Sequence, residues 1–179
     1  MLNSAKKPVA IITGASRGVG AATALLLASK GWNVTITCSS TIKEANEIAK
    51  LCEAYDVEAL AIQADVSIDA DCKNTIEQTV KKWGRIDALI NNAGTTKFAW
   101  DHSNLDLLDA EDFQKVYGVN LIGPFQMIKA SKEFLMKSDN PSITNVSSIA
   151  GIKGIGSSIA YAASKGALNT MTISMARNL

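Results

Sequence analysis

A short apolar run, Val9-Ala10-Ile11-Ile12, leads straight into TGASRGVG at Thr13 to Gly20, and apolar residues then recur at helical spacing from Val19 to Lys30. An uninterrupted run of this length is the pattern of a strand buried on both faces, as in a parallel sheet covered by helices on each side. Gly14, Gly18 and Gly20 let the chain turn sharply and let backbone approach a ligand. The unpaired N–H groups at a following helix start favour phosphate. A glycine-rich loop alone is a weak indication; strand, loop and helix in this order form a dinucleotide-binding pattern.

The remaining chain repeats the alternation of strand-like and helix-like segments, without a low-complexity linker or internal repeat. Strands are expected near Val9–Thr13, Asn33–Cys38, Val57–Ala64, Ile86–Asn91 and Ser142–Ser147. Thr41 followed by Glu44 reads as a capping box opening a helix towards Tyr55, and Gly84 stops a helix running from Asp71 to Trp83. A long helical region is expected from Asp109 to Lys137, and another from Ser157 to Asn178. The predicted fold class is α/β, with right-handed crossovers and a parallel sheet.

With 179 residues and 47% hydrophobic content, the chain is long enough for one domain with a substantial core. A net charge of +1 without blocks of like charge points away from nucleic acid and anionic membranes and towards small-molecule partners. Cys38, Cys52 and Cys72 are odd in number and lack CxxC spacing, which predicts reduced thiols and a cytoplasmic location. The single His102 cannot build a histidine metal site, so no metal is expected. Lys6 and Lys7 precede an apolar stretch cut short by Thr13-Gly14, so neither a signal peptide nor a membrane span is predicted.

Tyr161 and Lys165 stand four apart in YAASK, which on a helix places phenol and ammonium on one face. A solvated surface pair would show the same spacing by chance. Read beside the glycine loop, however, the pair is a candidate acid: a phenol ordinarily titrates near pH 10, and a cation within about 4–6 Å favours the phenolate. TGxxxGxG at Thr13–Gly20, NNAG at Asn91–Gly94, Asn120 in YGVN, Ser148 in NVSSIAG, and YAASK lie in one register. Together they resemble the short-chain dehydrogenase/reductase family, from Pro8 to the last residue.

That resemblance implies a Rossmann-type doubly wound sheet of strand order 3-2-1-4-5, a nicotinamide cofactor, and a catalytic set of Asn120, Ser148, Tyr161 and Lys165. Tyr161 would exchange a proton with the carbonyl or alcohol substrate, and Lys165 would favour the phenolate and hold the nicotinamide ribose. Ser148 would hydrogen-bond the substrate oxygen, with Ser147 as runner-up. Asn120 resembles the residue that holds a water against Lys165; a helix-kink amide satisfying backbone groups explains it equally. The cofactor set implied is Gly14, Ser16, Arg17, Gly18, Val19, Gly20, Ser39, Ser40, Asp65, Val66, Asn92, Ala93, Gly94, Tyr161 and Lys165. Asn91 is expected to brace neighbouring strands.

Cofactor choice turns on the end of the second strand, where an acidic residue would bind ribose hydroxyls and repel a 2′-phosphate. Cys38-Ser39-Ser40 stands there instead, and Arg17 can add a charge-assisted contact, so NADP (NADPH) is expected over NAD. Solvation of Arg17 and capping by the serines would explain the same residues. Asp65-Val66 resembles the adenine contact, although a turn-capping aspartate has the same appearance.

Phe98, Trp100 and His102 follow NNAG; a substrate-flanking loop is one reading, and exposed loop aromatics that simply cover the edge of the core is the one preferred. Relatives continue past the last helix into a sixth strand, a loop over the nicotinamide, a lid and a seventh strand. The sequence stops at Leu179, so it is expected to be part of a longer molecule; otherwise Ile143–Val146 would be an uncovered edge with an apolar side chain at each end. A homo-oligomer pairing through the regions Asp109–Lys137 and Ser157–Leu179 is also implied. An NADP-dependent oxidoreductase is the first functional reading, and a nucleotide-binding or interaction module without turnover is the second.

Overall fold

The computed structural model describes residues 7–179; Lys6, read above as part of the N-terminal basic pair, lies outside the described residues. Five strands, β1 (Val9–Ile12), β2 (Asn33–Cys38), β3 (Ala59–Gln63), β4 (Ala88–Asn91) and β5 (Ser142–Asn145), pair in parallel in the order β3-β2-β1-β4-β5. Helices α1 (Gly18–Ser29), α2 (Ile42–Glu53), α3 (Asp69–Trp83), α4 (Ala110–Tyr117), α5 (Gly123–Leu135), α6 (Ala150–Lys153) and α7 (Ile159–Ala176) complete the chain. This is the α/β parallel sheet that the alternation predicts, in the doubly wound order that the family resemblance implies.

Alternate side chains of β1 divide between two cores, because successive Cβ atoms of a strand point to opposite faces. Ala10 and Ile12 join Val34, Ile36 and Ile90 under α1 and α2, while Ile11 and Leu89 pack with Ile76 of α3 and Met127 and Ile128 of α5. The six residues of β2 are buried, including three polar ones whose side chains are used. Asn33 Oδ1 accepts from Glu58 N at 2.9 Å, Thr35 pairs with Thr79 at 2.9 Å, and Thr37 accepts from Gly14 N at 3.3 Å. Burial of these groups is tolerated because each is hydrogen-bonded.

Several local expectations give way to tertiary packing. The Val19–Lys30 helix was expected to be amphipathic. Instead, α1 buries a stripe of small residues, Gly20, Ala21, Ala24 and Ala28, while Leu26 is exposed. Close approach to the sheet selects small side chains there. The Thr41–Glu44 capping box does not form: Thr41 makes no side-chain cap, its hydroxyl faces Ser40 at 3.4 Å, and Glu44 N donates to the Thr41 carbonyl. A capping box forms instead at α4, where Asp109 accepts from Asp112 N at 2.9 Å and Asp112 accepts from Asp109 N at 3.5 Å.

Helix α3 starts at Asp69 rather than Asp71, with the Asp71 carboxylate turned back to accept from Asp65 N at 2.8 Å. β3 is shorter than the expected Val57–Ala64. The Asp109–Lys137 helical region is interrupted by a π turn over Gly118–Ile122. β5 lies at the sheet edge with Ile143 37% exposed, but Val146 packs against the core rather than leaving a second apolar side chain uncovered.

The N-terminal ends of β1 and β4 and the end of α5 are joined by Asp87, which is buried. It accepts from Val9 N at 2.8 Å, Arg85 Nε at 2.8 Å and Ser138 Oγ at 2.5 Å. Burial pushes the carboxyl up, but the Arg85, Ser138 and Val9 hydrogen bonds outweigh it and hold the group below the ordinary carboxylate value. Because the folded-state value is depressed, this contribution is present above the unfolded carboxyl pKa of about 4 and is lost as pH falls through the folded value. Asp87→Ala is expected to cost about 2–4 kcal/mol at neutral pH, since Val9 N and the Ser138 hydroxyl lose a buried acceptor. Urea unfolding at pH 7 and pH 3 checks it, with a smaller difference expected in acid.

Candidate active site

Helix α7 brings Tyr161 and Lys165 to one face, as the spacing predicts. Ser158 is the N-cap and accepts from Tyr161 N at 3.1 Å, which fixes the first turn. Lys165 is buried, its Nζ lies 5.9 Å from the Tyr161 ring centroid, and it donates to the Val146 carbonyl at 2.8 Å. Burial pushes the Lys165 ammonium below its ordinary value. Its two other N–H bonds remain available to a ligand.

Ser147 and Ser148 play different parts. Ser147 Oγ donates to the Lys165 carbonyl at 3.3 Å, which ties the end of the fifth strand to α7. Ser148 Oγ accepts from Ala150 N at 3.1 Å and keeps its own proton to donate. An added Cβ at Gly156 would stand 3.3 Å from Ala150 Cβ and 3.7 Å from Tyr161 Cδ1, so the segment after Ser148 folds back against the tyrosine.

Asn120 sits in the π turn between α4 and α5 and is fully buried. Its amide accepts from Thr95 N at 2.8 Å and donates to Thr95 O at 2.9 Å and Ser164 Oγ at 3.0 Å. Ser164 in turn donates to the Tyr161 carbonyl at 2.7 Å. The side chain thus links the segment after NNAG to the helix bearing Tyr161. It has the kink-amide contacts read as the alternative for this residue, and π turns often occur at functional sites.

The glycine loop packs closely on the segment after β4 at Gly14 and Gly20, and opens outward only at Gly18, where a Cβ would meet nothing within 4 Å. Gly14 has φ +61°, and a Cβ there would meet Ala93 Cα at 2.8 Å; a Cβ at Gly20 would meet Asn92 Nδ2 at 2.5 Å and Gly14 O at 2.7 Å. Asn92 Nδ2 donates to the carbonyls of Thr13 at 2.8 Å and Gly14 at 2.9 Å, while Thr13 Oγ1 accepts from Asn92 N and Ala93 N, each at 3.0 Å. Asn92 therefore braces the loop with its side chain, and Ala93 lies beside Gly14. Asn91 donates to Asn145 Oδ1 at 2.9 Å across β4 and β5, the bracing contact expected of it.

Ser16 is half-buried, whereas Arg17, Gly18 and Val19 are exposed at the mouth of this loop. Helix α1 has no side-chain cap and no acidic residue in its first turn, leaving its N-terminal N–H groups suited to an anion. Ser39 and Ser40 are exposed beyond β2, with Gln63 Nε2 on the Ser39 carbonyl at 3.3 Å. Asp65 Oδ1 is used as a turn cap, accepting from Ser67 N at 2.9 Å and Ser67 Oγ at 2.7 Å. Val66 packs its side chain in the core against Gly123. Gly94 is exposed between Asn120 and Lys165: a Cβ there would lie 3.5 Å from Asn120 Oδ1 and 3.7 Å from Lys165 Nζ. The exposed Arg17-Gly18 turn, the uncapped helix and the unused lysine protons suit a dinucleotide running from the Arg17 side to Lys165.

The family model for short chain dehydrogenase matches residues 8–179. The chain belongs to the short-chain dehydrogenase family. A solved Burkholderia xenovorans protein bearing the short-chain dehydrogenase/reductase name superposes with TM-score 0.93 at 47% identity, over 98% of this chain and 73% of that one. An NAD+-bound xylitol dehydrogenase structure superposes with TM-score 0.87 at 30% identity, over 96% of this chain and 64% of that one. A 3-oxoacyl-[acyl-carrier-protein] reductase of Synechocystis is 36% identical, over 96% of this chain and 68% of its own length. The chain spans about two thirds of the length of curated relatives it matches, 64% in one case.

Two features of the site were not announced by residue types. The Val146 carbonyl receives the lysine, and the backbone of α6 rests on that of α7 at Gly151, where a Cβ would stand 2.6 Å from Gly166 N. Thr13, buried in the first motif, could have been singled out as a polar residue ending an apolar strand. The loop aromatics are exposed, as expected, and neither joins a core cluster. Ala99 is buried, while Phe98 and Trp100 are 67% and 71% exposed and stacked with centroids 5.4 Å apart. Among the described residues no helix is long and apolar enough to cross a membrane, and no group of three or more His, Cys, Asp or Glu could hold a metal.

Proposed function

We propose that the protein is an oxidoreductase that moves a hydride between a nicotinamide dinucleotide, NADP in preference to NAD, and a carbonyl or alcohol substrate. The observation that carries this reading is the buried Lys165 on the same face of α7 as Tyr161, its Nζ 5.9 Å from the ring and beside Gly94. The cofactor supplies the hydride; the chain handles the proton and the geometry.

In the reducing direction Tyr161 donates its hydroxyl proton to the developing alkoxide, and in the oxidising direction it takes that proton back. Lys165 stands beside the Tyr161 ring and offers its remaining N–H bonds to the nicotinamide ribose. Ser148 donates to the substrate oxygen and stabilises developing charge. Asn120 holds α7 against the Thr95 segment and lies beside the lysine. Gly14, Ser16, Gly18, Val19 and Gly20 line the pyrophosphate, Asp65 and Val66 lie towards the adenine, and Asn92, Ala93 and Gly94 stand by the nicotinamide side. A homo-oligomer is proposed through α5 and α7, supported by the apolar surface of Ile122, Phe125 and Met171.

Carbonyl-dependent oxidation of NADPH and NADH across a ketone panel tests the reading. Tight dinucleotide binding with no turnover on any carbonyl or alcohol would favour the nucleotide-binding module instead. The cofactor preference rests on Arg17, Ser39 and Ser40, with no acidic side chain at the end of β2. The NAD+ in the xylitol dehydrogenase structure argues the other way. Fluorescence titration is expected to show tighter binding of NADPH than NADH. Arg17→Ala should narrow the gap by about 1.5–3 kcal/mol, the value of a charge-assisted hydrogen bond. Equal affinities in the parent protein would overturn the preference.

A further inference from the structure

We propose that the Phe98–Trp100 stack is an apolar shelf that receives the alkyl or aryl substituent of the carbonyl substrate, so that this protein acts on apolar carbonyl compounds rather than polyols. The inference rests on the proposed function and adds the substrate class to it. Its first support is placement. The segment bearing the two rings is joined to the residues just before α7 by Thr96 Oγ1 and Ser157 Oγ at 2.5 Å, Ala99 N on Ser157 O at 2.7 Å, and His102 Nε2 and Gly156 O at 3.2 Å. Gly156 is the residue whose vacant side faces the Tyr161 ring, so the shelf is anchored to the backbone that borders the proposed proton donor.

The second support is chemical. Ala99 is buried between the two rings in sequence, so Phe98 and Trp100 face outward while their shared backbone is fixed to Ser157. The charged neighbours are drawn off: Lys97 pairs with Asp112 at 3.2 Å, and Asp101 accepts from Ser103 N at 3.0 Å and Ser103 Oγ at 2.6 Å. What remains outward is an uncharged stacked pair held in one geometry. The segment running from Ser148 towards the same junction adds Ile149, Ile152 and Ile155, each more than half exposed. Apart from the Trp100 indole N–H, a polyol would find no hydrogen-bonding partner on these side chains, whereas an alkyl or aryl group would leave water on both sides of the contact.

The test uses methyl ketones from butan-2-one to nonan-2-one as probes, with the parent protein, Phe98→Ala and Trp100→Ala at saturating dinucleotide. In the parent, kcat/KM should rise about two- to threefold for each added methylene, approaching the gain of full burial. In each variant that chain-length slope should flatten, and flatten most for Trp100→Ala. A parent without chain-length dependence, or variants that keep the parent's slope, would overturn the proposal. Binding of nonan-2-ol and butan-2-ol, followed by intrinsic fluorescence, gives the same slope without turnover. If no ketone is reduced but nonan-2-ol binds through a slope lost in Trp100→Ala, the shelf stands and the proposed reaction falls. If Trp100→Ala abolishes concentration-dependent self-association in sedimentation and leaves the slope intact, the rings join copies of the chain and the proposal is wrong.

Discussion

Tyr161→Phe is expected to lower turnover by about 10²–10⁴-fold while leaving dinucleotide affinity essentially intact, because it deletes the proton donor and little else. The phenylalanine ring keeps the packing of Tyr161 against the Gly156 side, and the Ser158 cap bonds the backbone of position 161 rather than its phenol. The substitution therefore spares the start of α7. Lys165→Ala should harm both activity and cofactor affinity, since it removes a buried cation that bonds Val146 O and stands beside Gly94. The contrast is decisive: steady-state reduction of an active ketone together with fluorescence titration of the dinucleotide should separate the two variants. Near-normal turnover in Tyr161→Phe would refute the assigned proton path.

The second large effect concerns a residue with no chemistry of its own. Gly151 in α6 lies against the backbone of α7, and a Cβ at this position would stand 2.6 Å from Gly166 N, 2.6 Å from Lys165 C and 2.9 Å from Lys165 O. Those neighbours are backbone atoms and cannot swing aside. Gly151→Ala must push α6 away from α7, which separates the Ser148 end of the segment from Tyr161 and Lys165. Overpacking of this kind costs about 1–3 kcal/mol. Turnover is expected to fall tenfold or more, because misplacement of about 1 Å can cost a hundredfold, and Tm should drop by roughly 2–12 °C. Gly118→Ala is the control: it has helical backbone angles, and its Cβ would meet only Ser67 Cβ at 3.5 Å, so it should be tolerated. Thermal unfolding and ketone reduction on both variants check the difference.

Much of this protein was legible before folding was considered. A continuous apolar run at Val9–Ile12 with a glycine loop behind it requires a strand covered on both faces, since no one-sided sheet would hide alternate residues of such a run. Alternation of strand-like and helix-like segments implies a parallel sheet, and the family resemblance supplies its doubly wound order. The four-residue spacing of Tyr161 and Lys165 likewise dictates a shared face once α7 is helical, as periodicity is a property of the backbone alone.

Capping was less legible. Thr41 and Glu44 satisfy a capping box on paper, but the chain arrives at α2 from β2 with Thr41 at φ −108° and ψ 75°, and no side-chain cap forms. The approach angle is set by the sheet, several residues away.

What only the tertiary structure decided are the contacts between segments remote in sequence. Asn120 was readable as a member of a motif, but its bonds to Thr95 and Ser164 depend on the π turn that directs its amide between two elements. Lys165 was readable as a cation; that its ammonium is buried against the Val146 carbonyl follows from the register of β5 with β4 and the seating of α7 beside them. The need for Gly151, and the outward stack of Phe98 and Trp100 fixed to Ser157, belong to the same class. Local sequence determines periodicity and turn chemistry because those depend on neighbouring residues along the chain. The distance between two backbones, and the burial that shifts a charge, depend on which segments the fold places together.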